Sequence, residues 1–117
     1  MLGDPQMVSS CCCTRCQRRT GSFFGVTAYF RPDQMAGVKG ETATFHRPDG
    51  ETTFHFCPRC GSSLWWVPDD EDDVIGLSGG AFSDPAFPAP SRMVWIEHRH
   101  PFVRTADGLT LFEGGPE

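Results

Sequence analysis

The chain has 117 residues and a net charge of −5, a length suited to one domain and too short for two. Its Lys, a single residue, and its 13 Gly and 10 Pro leave too few good helix formers for a bundle. The acidic balance excludes sequence-independent phosphate binding, which needs clustered positive charge. The longest run free of charge and histidine, Thr20 to Phe30, has 11 residues, well short of a membrane span. Neither nucleic acid nor a bilayer is therefore expected as a partner, and the oligomeric state is not readable.

Met1 to Ser10 has neither a basic start nor an apolar run, so no secretory signal is expected and the compartment is read as cytoplasmic. In a reducing compartment six cysteines clustered as four and two point to metal ligation rather than disulfides. The first cluster is Cys11-Cys12-Cys13-Thr14-Arg15-Cys16. In an extended segment Cys11 and Cys13 project to one side, and the following CxxC turn brings Cys16 round to meet them while Cys12 points away. Three thiolates would leave a fourth position open on Zn²⁺, which suits activation of an incoming thiol.

Short helical turns are expected around Gln17 to Thr20 and in Asp33 to Ala36, and a strand over Phe23 to Phe30 ended by Arg31-Pro32. Thr42 to Phe56 reads as a hairpin around Pro48-Asp49-Gly50, with a left-handed Gly50 and Arg47 facing Glu51. That register groups Phe54 and Phe56 with Thr42 and Thr44, places Phe45, Thr53 and His55 on the other face, and sets His46 and His55 on opposite faces.

Cys57-Pro58-Arg59-Cys60-Gly61 is a second knuckle, its glycine permitting the tight turn that aims backbone N–H groups at sulfur. On spacing alone, Cys13, Cys16, Cys57 and Cys60 could equally close one structural site of four cysteines. Ser62 to Val67, Val74 to Leu77 and Arg92 to His98 are further strands. Asp69 to Asp73 is a mutually repelling acidic loop. His98 and His100 fall on the same side of the last strand as a solvated end. The class expected is mainly β with short helical turns.

The run CCCTRCQRRTGSFF resembles the CxCxxC-R-R-x-T-G-S-x-F signature of the glutathione-dependent formaldehyde-activating enzyme family, which includes centromere protein V. FCPRCGSSL resembles its second signature, and SGGAFSDP and HRHPF its usual ending. The resemblance implies a single zinc-binding domain over 1–117, β-tent-like, with a carbon–sulfur lyase activity of the S-hydroxymethylglutathione synthase type. Carried over by position, Cys11, Cys13 and Cys16 would hold a catalytic zinc, and Cys57 and Cys60 half of a structural one. The family completes that second site with an earlier C-x-C, so the domain is expected to lack its first strand or hairpin. The substrate implied is the glutathione thiol with formaldehyde or a similar small aldehyde. Arg18 and Arg19 are candidates to meet the carboxylates of the tripeptide, while Thr20 and Ser22 brace the loop. The other reading is a non-catalytic, zinc-stabilised interaction module.

Overall fold

The computed structural model describes residues 1–69 and 73–116. Among these residues eight strands form one sheet: β1 (Met7–Cys11), β2 (Gly25–Phe30), β3 (Ala43–His46), β4 (Thr53–Phe56), β5 (Ser63–Trp66), β6 (Ile75–Ser78), β7 (Arg92–Val94) and β8 (Thr110–Leu111). One α-helix, α1 (Thr14–Thr20), follows β1 directly. Short 3₁₀ turns occupy Pro32–Gln34, Gly79–Phe82 and Ile96–His98. The expectation of a mainly β chain with little helix is met.

The sheet order is β3-β4-β5-β6-β2-β1-β7-β8. Pairing is antiparallel from β3 through β1, then parallel from β1 to β7 and from β7 to β8. Alternation along the strands sorts side chains onto two faces. On one, Val8, Ala28 and Phe30 form a buried cluster with Val26, Leu77, Phe82 and Phe87 packed against it. On the other, the ladder places Phe54 opposite Trp66, Trp66 opposite Gly76, Tyr29 opposite Gly76, Thr27 opposite Ser9, and Ser9 opposite Arg92. Trp66, which is buried, lies across Gly76, where a Cβ would come within 2.7 Å of the indole Nε1. A second buried cluster, Cys12, Met93 and Val103, joins the end of β1 to the C-terminal third of the chain.

The structure corrects three of the expectations. The β3–β4 hairpin pairs Phe45 with Phe54 and His46 with Thr53, one residue away from the expected register, and Arg47 bonds to Thr52 rather than facing Glu51. Gly50 does not take a left-handed φ, so the connection needs a fourth residue. That end of the hairpin is instead tied down by two side-chain contacts, Thr52 donating to Asp69 and Arg15 to Asp49. Phe45 therefore shares a face with Phe54 and Phe56, and His46 shares one with His55, each ring bonded to a threonine hydroxyl.

The expected strand over Arg92 to His98 ends at Val94 because Trp95 adopts a left-handed conformation (φ 58°) and turns the chain into a 3₁₀ turn. His98 and His100 consequently do not flank one extended segment. The third correction is that β1 and β8 are strands in their own right. Of the acidic run, Asp70, Glu71 and Asp72 lie outside the described residues.

Candidate metal and thiol site

The last turn of β1 and the start of α1 build the cysteine centre. Alternation sends Val8 to the buried cluster and Cys11 to the opposite face, beside Gly25 and Val94. Cys12, fully buried, points back into the core against Met93 and Val103. Cys13 caps α1: its backbone is extended and its sulfur accepts the Cys16 N–H at 3.3 Å. One helical turn then returns Cys16 to the same side. The ligand atoms of Cys11, Cys13 and Cys16 all lie within 4.8 Å of one another. Tetrahedral Zn²⁺ with bonds near 2.3 Å needs sulfurs roughly 3.8 Å apart, so this all-thiol set fits a soft ion such as zinc. The expected parity of Cys11, Cys12 and Cys13 is what the structure has.

Hydrogen bonding among the sulfurs singles out Cys13. The Cys11 and Cys16 thiols donate to it and hold its thiol well below the usual range, against the opposing effect of burial. Cys11, as donor to Cys13, is pushed up. The trio thus already concentrates negative charge on one sulfur, the form a metal ligand takes.

Gln17 ties the helix to the C-terminal segment. Its side-chain amide donates to the Cys12 carbonyl at 2.9 Å and the His98 carbonyl at 3.3 Å, and its oxygen meets His100 Nε2 at 2.9 Å. His100 is therefore a strut for the knuckle. Thr20 donates to the Cys16 carbonyl at 2.8 Å and accepts from the Ser22 N–H at 3.0 Å, the bracing expected of this loop, and Gly21 ends the helix with a left-handed φ of 69°.

Two cavities open beside the trio. One, about 440 Å³, is lined by Cys13, Cys16, Arg15, Arg47, Trp95 and His98. The other, about 420 Å³, runs along the second face of the sheet past Cys11, Cys16, Arg19, Trp66, Thr27 and Arg92. Arg19 packs its guanidinium over Trp66, 4.4 Å from the ring centre, and near Phe54 at 5.8 Å. Arg18, its expected companion, is exposed on α1 and lines neither cavity.

Cys57 and Cys60 form the expected knuckle, with Cys57 N–H bonded to the Ser62 carbonyl at 2.8 Å and a left-handed Gly61 (φ 77°) closing the turn. The Ser62 hydroxyl, 3.1 Å from the Cys60 sulfur, together with backbone bonding and the Cys57 thiol, holds the Cys60 thiol below its usual range. This pair lines a different groove, with Met1, Met35, Trp65 and Leu77. It is not part of the Cys11, Cys13 and Cys16 group, and among the described residues no third His, Cys, Asp or Glu joins it. A single four-cysteine site is therefore not what the fold builds.

The family model of the glutathione-dependent formaldehyde-activating enzyme matches residues 1–98. The chain belongs to this family. A search of curated proteins returned no significant match. Membership in the formaldehyde-activating family extends across β1 to β7 and includes both cysteine knuckles. The C-terminal strut, with His100 and Val103, lies beyond the matched segment yet packs directly on the knuckle.

Sequence reasoning missed Arg47, Arg92 and Trp95 as walls of these cavities. Arg92 arrives through the parallel pairing of β1 with β7, and Arg47 through the hairpin end folding toward α1. Neither leaves a local signal. His98 was read as a solvated strand end, a consequence of extending β7 past Trp95.

Proposed function

We propose that the chain is a zinc-dependent carbon–sulfur lyase acting in the cytoplasm on the adduct of glutathione with formaldehyde or a similar small aldehyde. The observation that carries this reading is the convergence of three thiols beside open cavities, with no fourth protein ligand among the described residues. Cys11, Cys13 and Cys16 would hold Zn²⁺, which supplies when bound an open position where a thiol is captured and made nucleophilic.

In the synthetic direction the thiol sulfur attacks the carbonyl carbon, forming the C–S bond as the C=O π pair moves to oxygen. The thiol proton ends on that oxygen, giving the hydroxymethyl thioether, and the lyase direction reverses each move. His98 is the group suited to carrying this proton. It lines the cavity of about 440 Å³ with Cys13 and Cys16, and Glu97 lies 3.6 Å from its Nε2. Trp95 stacks near it, ring centres 6.2 Å apart, and restricts its position. Arg19 supplies positive charge toward the tripeptide. Arg18, held away from both cavities, is not given that role. Cys57 and Cys60 would contribute two thiolates to a second, structural zinc.

The test is glutathione-dependent consumption of formaldehyde by the zinc-loaded protein, measured above the uncatalysed rate, with metal content determined in parallel. Turnover that disappears in Cys13→Ser together with bound zinc supports the reading. Zinc bound at the trio with no turnover above background would favour the non-catalytic interaction module.

A further inference from the structure

We infer that the cleft along the second face of the sheet is a receptor for an organic dicarboxylate, with Arg19 on one wall and Arg92 on the other each taking a carboxylate. The orientation of that anion rests on the reading above, in which its thiol reaches the cysteine trio.

The first ground is charge. A protein with a net charge of −5 places four of its 10 cationic side chains, Arg15, Arg19, Arg47 and Arg92, around one cleft of about 420 Å³. Arg15 pairs with Asp49, whereas Arg19 and Arg92 have no carboxylate partner among the described residues. Asp69, the one acidic side chain on the described lining, is bonded to the Thr52 hydroxyl and the Glu51 backbone and interacts electrostatically with Arg47 and Arg15. Holding Arg19 and Arg92 half-buried beside one cleft with no anion of their own is unfavourable, and an anionic ligand offsets that cost.

The second ground is an orphaned donor. Arg19 Nη1 is buried and has no hydrogen-bond partner among the described residues, a situation that costs free energy and calls for a specific cause. The guanidinium does not lie loose. It is seated on Trp66, flanked by Phe54, and admitted by Gly25, where a Cβ would come within 3.2 Å of its Nη2. The sheet thus fixes a planar, charged donor and leaves part of its hydrogen-bonding capacity unspent.

The third ground is the opposite wall. Arg92 is aimed by a bond from its Nε to the Ser9 hydroxyl at 3.0 Å, which leaves its terminal nitrogens for another acceptor. Two separated guanidinium groups, each held by its stem or Nε, suit two carboxylates on one molecule, because the planar fork matches carboxylate geometry. Arg47, packed over Phe54 at 4.9 Å, adds charge at the mouth.

The experiment separates this pocket from the chemistry at the trio by using a probe with no free thiol. S-methylglutathione carries both carboxylates, and its diethyl ester masks them. Calorimetric titration should show the acid binding at least tenfold more tightly than the ester, with the difference shrinking as salt is raised. Arg19→Gln and Arg92→Gln should each weaken the acid at least tenfold and leave the ester unchanged, with circular dichroism confirming the fold. Cys13→Ser should bind the acid as the wild type does, and this result with no turnover in the wild type would sink the lyase reading and leave the receptor intact. Equal binding of acid and ester, or affinities unmoved by Arg92→Gln in a folded protein, would overturn the inference.

Discussion

Gly76→Ala tests whether the platform beneath Arg19 is rigid. A methyl group at this position would stand 2.7 Å from Trp66 Nε1, 2.8 Å from its Cε2 and 3.2 Å from Thr27 Cγ2. Distances under 3 Å force a shift, and the indole is a large buried group sandwiched between its own strand and Phe54. Overpacking of this kind costs about 1–3 kcal/mol. Gly76 has no left-handed φ, so alanine recovers about 0.4–1 kcal/mol by restricting the unfolded chain. The net loss is about 1–2 kcal/mol, a fall in Tm of roughly 4–8 °C for a domain of this size.

Because Trp66 carries Arg19, the same variant should also weaken S-methylglutathione binding, a coupling that simple destabilisation does not require. Gly80→Ala is the control. Nothing lies within 4 Å of its new methyl group and its φ is not positive, so stability should be unchanged or slightly raised. Thermal melts and near-UV circular dichroism of the three proteins decide the matter. A Gly76→Ala protein as stable as wild type, with an unaltered tryptophan signal, would refute the close seat of Trp66 on Gly76.

Other outcomes follow from the site. Cys13→Ser should lose zinc at the trio, whereas Cys12→Ala should retain it and lose about 1 kcal/mol of stability, since Cys12 serves only as a small buried hydrophobe; equal metal loss in both would contradict the assigned parity. His98→Gln should lower turnover at least tenfold with little change in zinc content or KM, as expected when a proton carrier is removed, and unchanged kcat would exclude His98 from proton transfer. His55, stacked on Trp65 at 3.7 Å, has its pKa lowered from 6.5 by burial. The unfolded chain therefore takes up this proton first, so stability falls as pH drops through 6.5 and stops falling below the folded pKa. A His55 NMR titration midpoint at or above 6.5 would contradict that sign.

The parts of this molecule legible in its sequence are those fixed by neighbours in the chain. Cys11, Cys12 and Cys13 alternate because β1 is extended, and Cys16 returns after one helical turn, so their grouping follows from local geometry alone. Thr20 and Ser22 brace the loop for the same reason. The hairpin register failed where distant groups decide it. The end of β3–β4 answers to Asp69 and Arg15, and Gly50 was not needed for the turn the sequence favoured. Arg19 could be suspected from its motif but Arg92 could not, because its neighbour Ser9 lies 83 positions earlier. Trp95 broke a strand that its β-favouring side chain argued for, since its left-handed backbone is held by a bond from its N–H to the Gly114 carbonyl at 2.9 Å.

The parallel docking of β7 on β1 also sets an order of events in time. β1 and α1 leave the ribosome well before β7, yet the Cys12 N–H bonds to the Val94 carbonyl and the Cys12 side chain packs on Met93 and Val103. Until those late residues emerge, β1 is held by β2 alone, and Cys12 lacks both its backbone and its side-chain partners. Closing so long a loop is slow compared with forming local structure. The local geometry of the cysteine run therefore forms before its support does, and the trio reaches its final setting only after the segment from β7 to Val103 has docked.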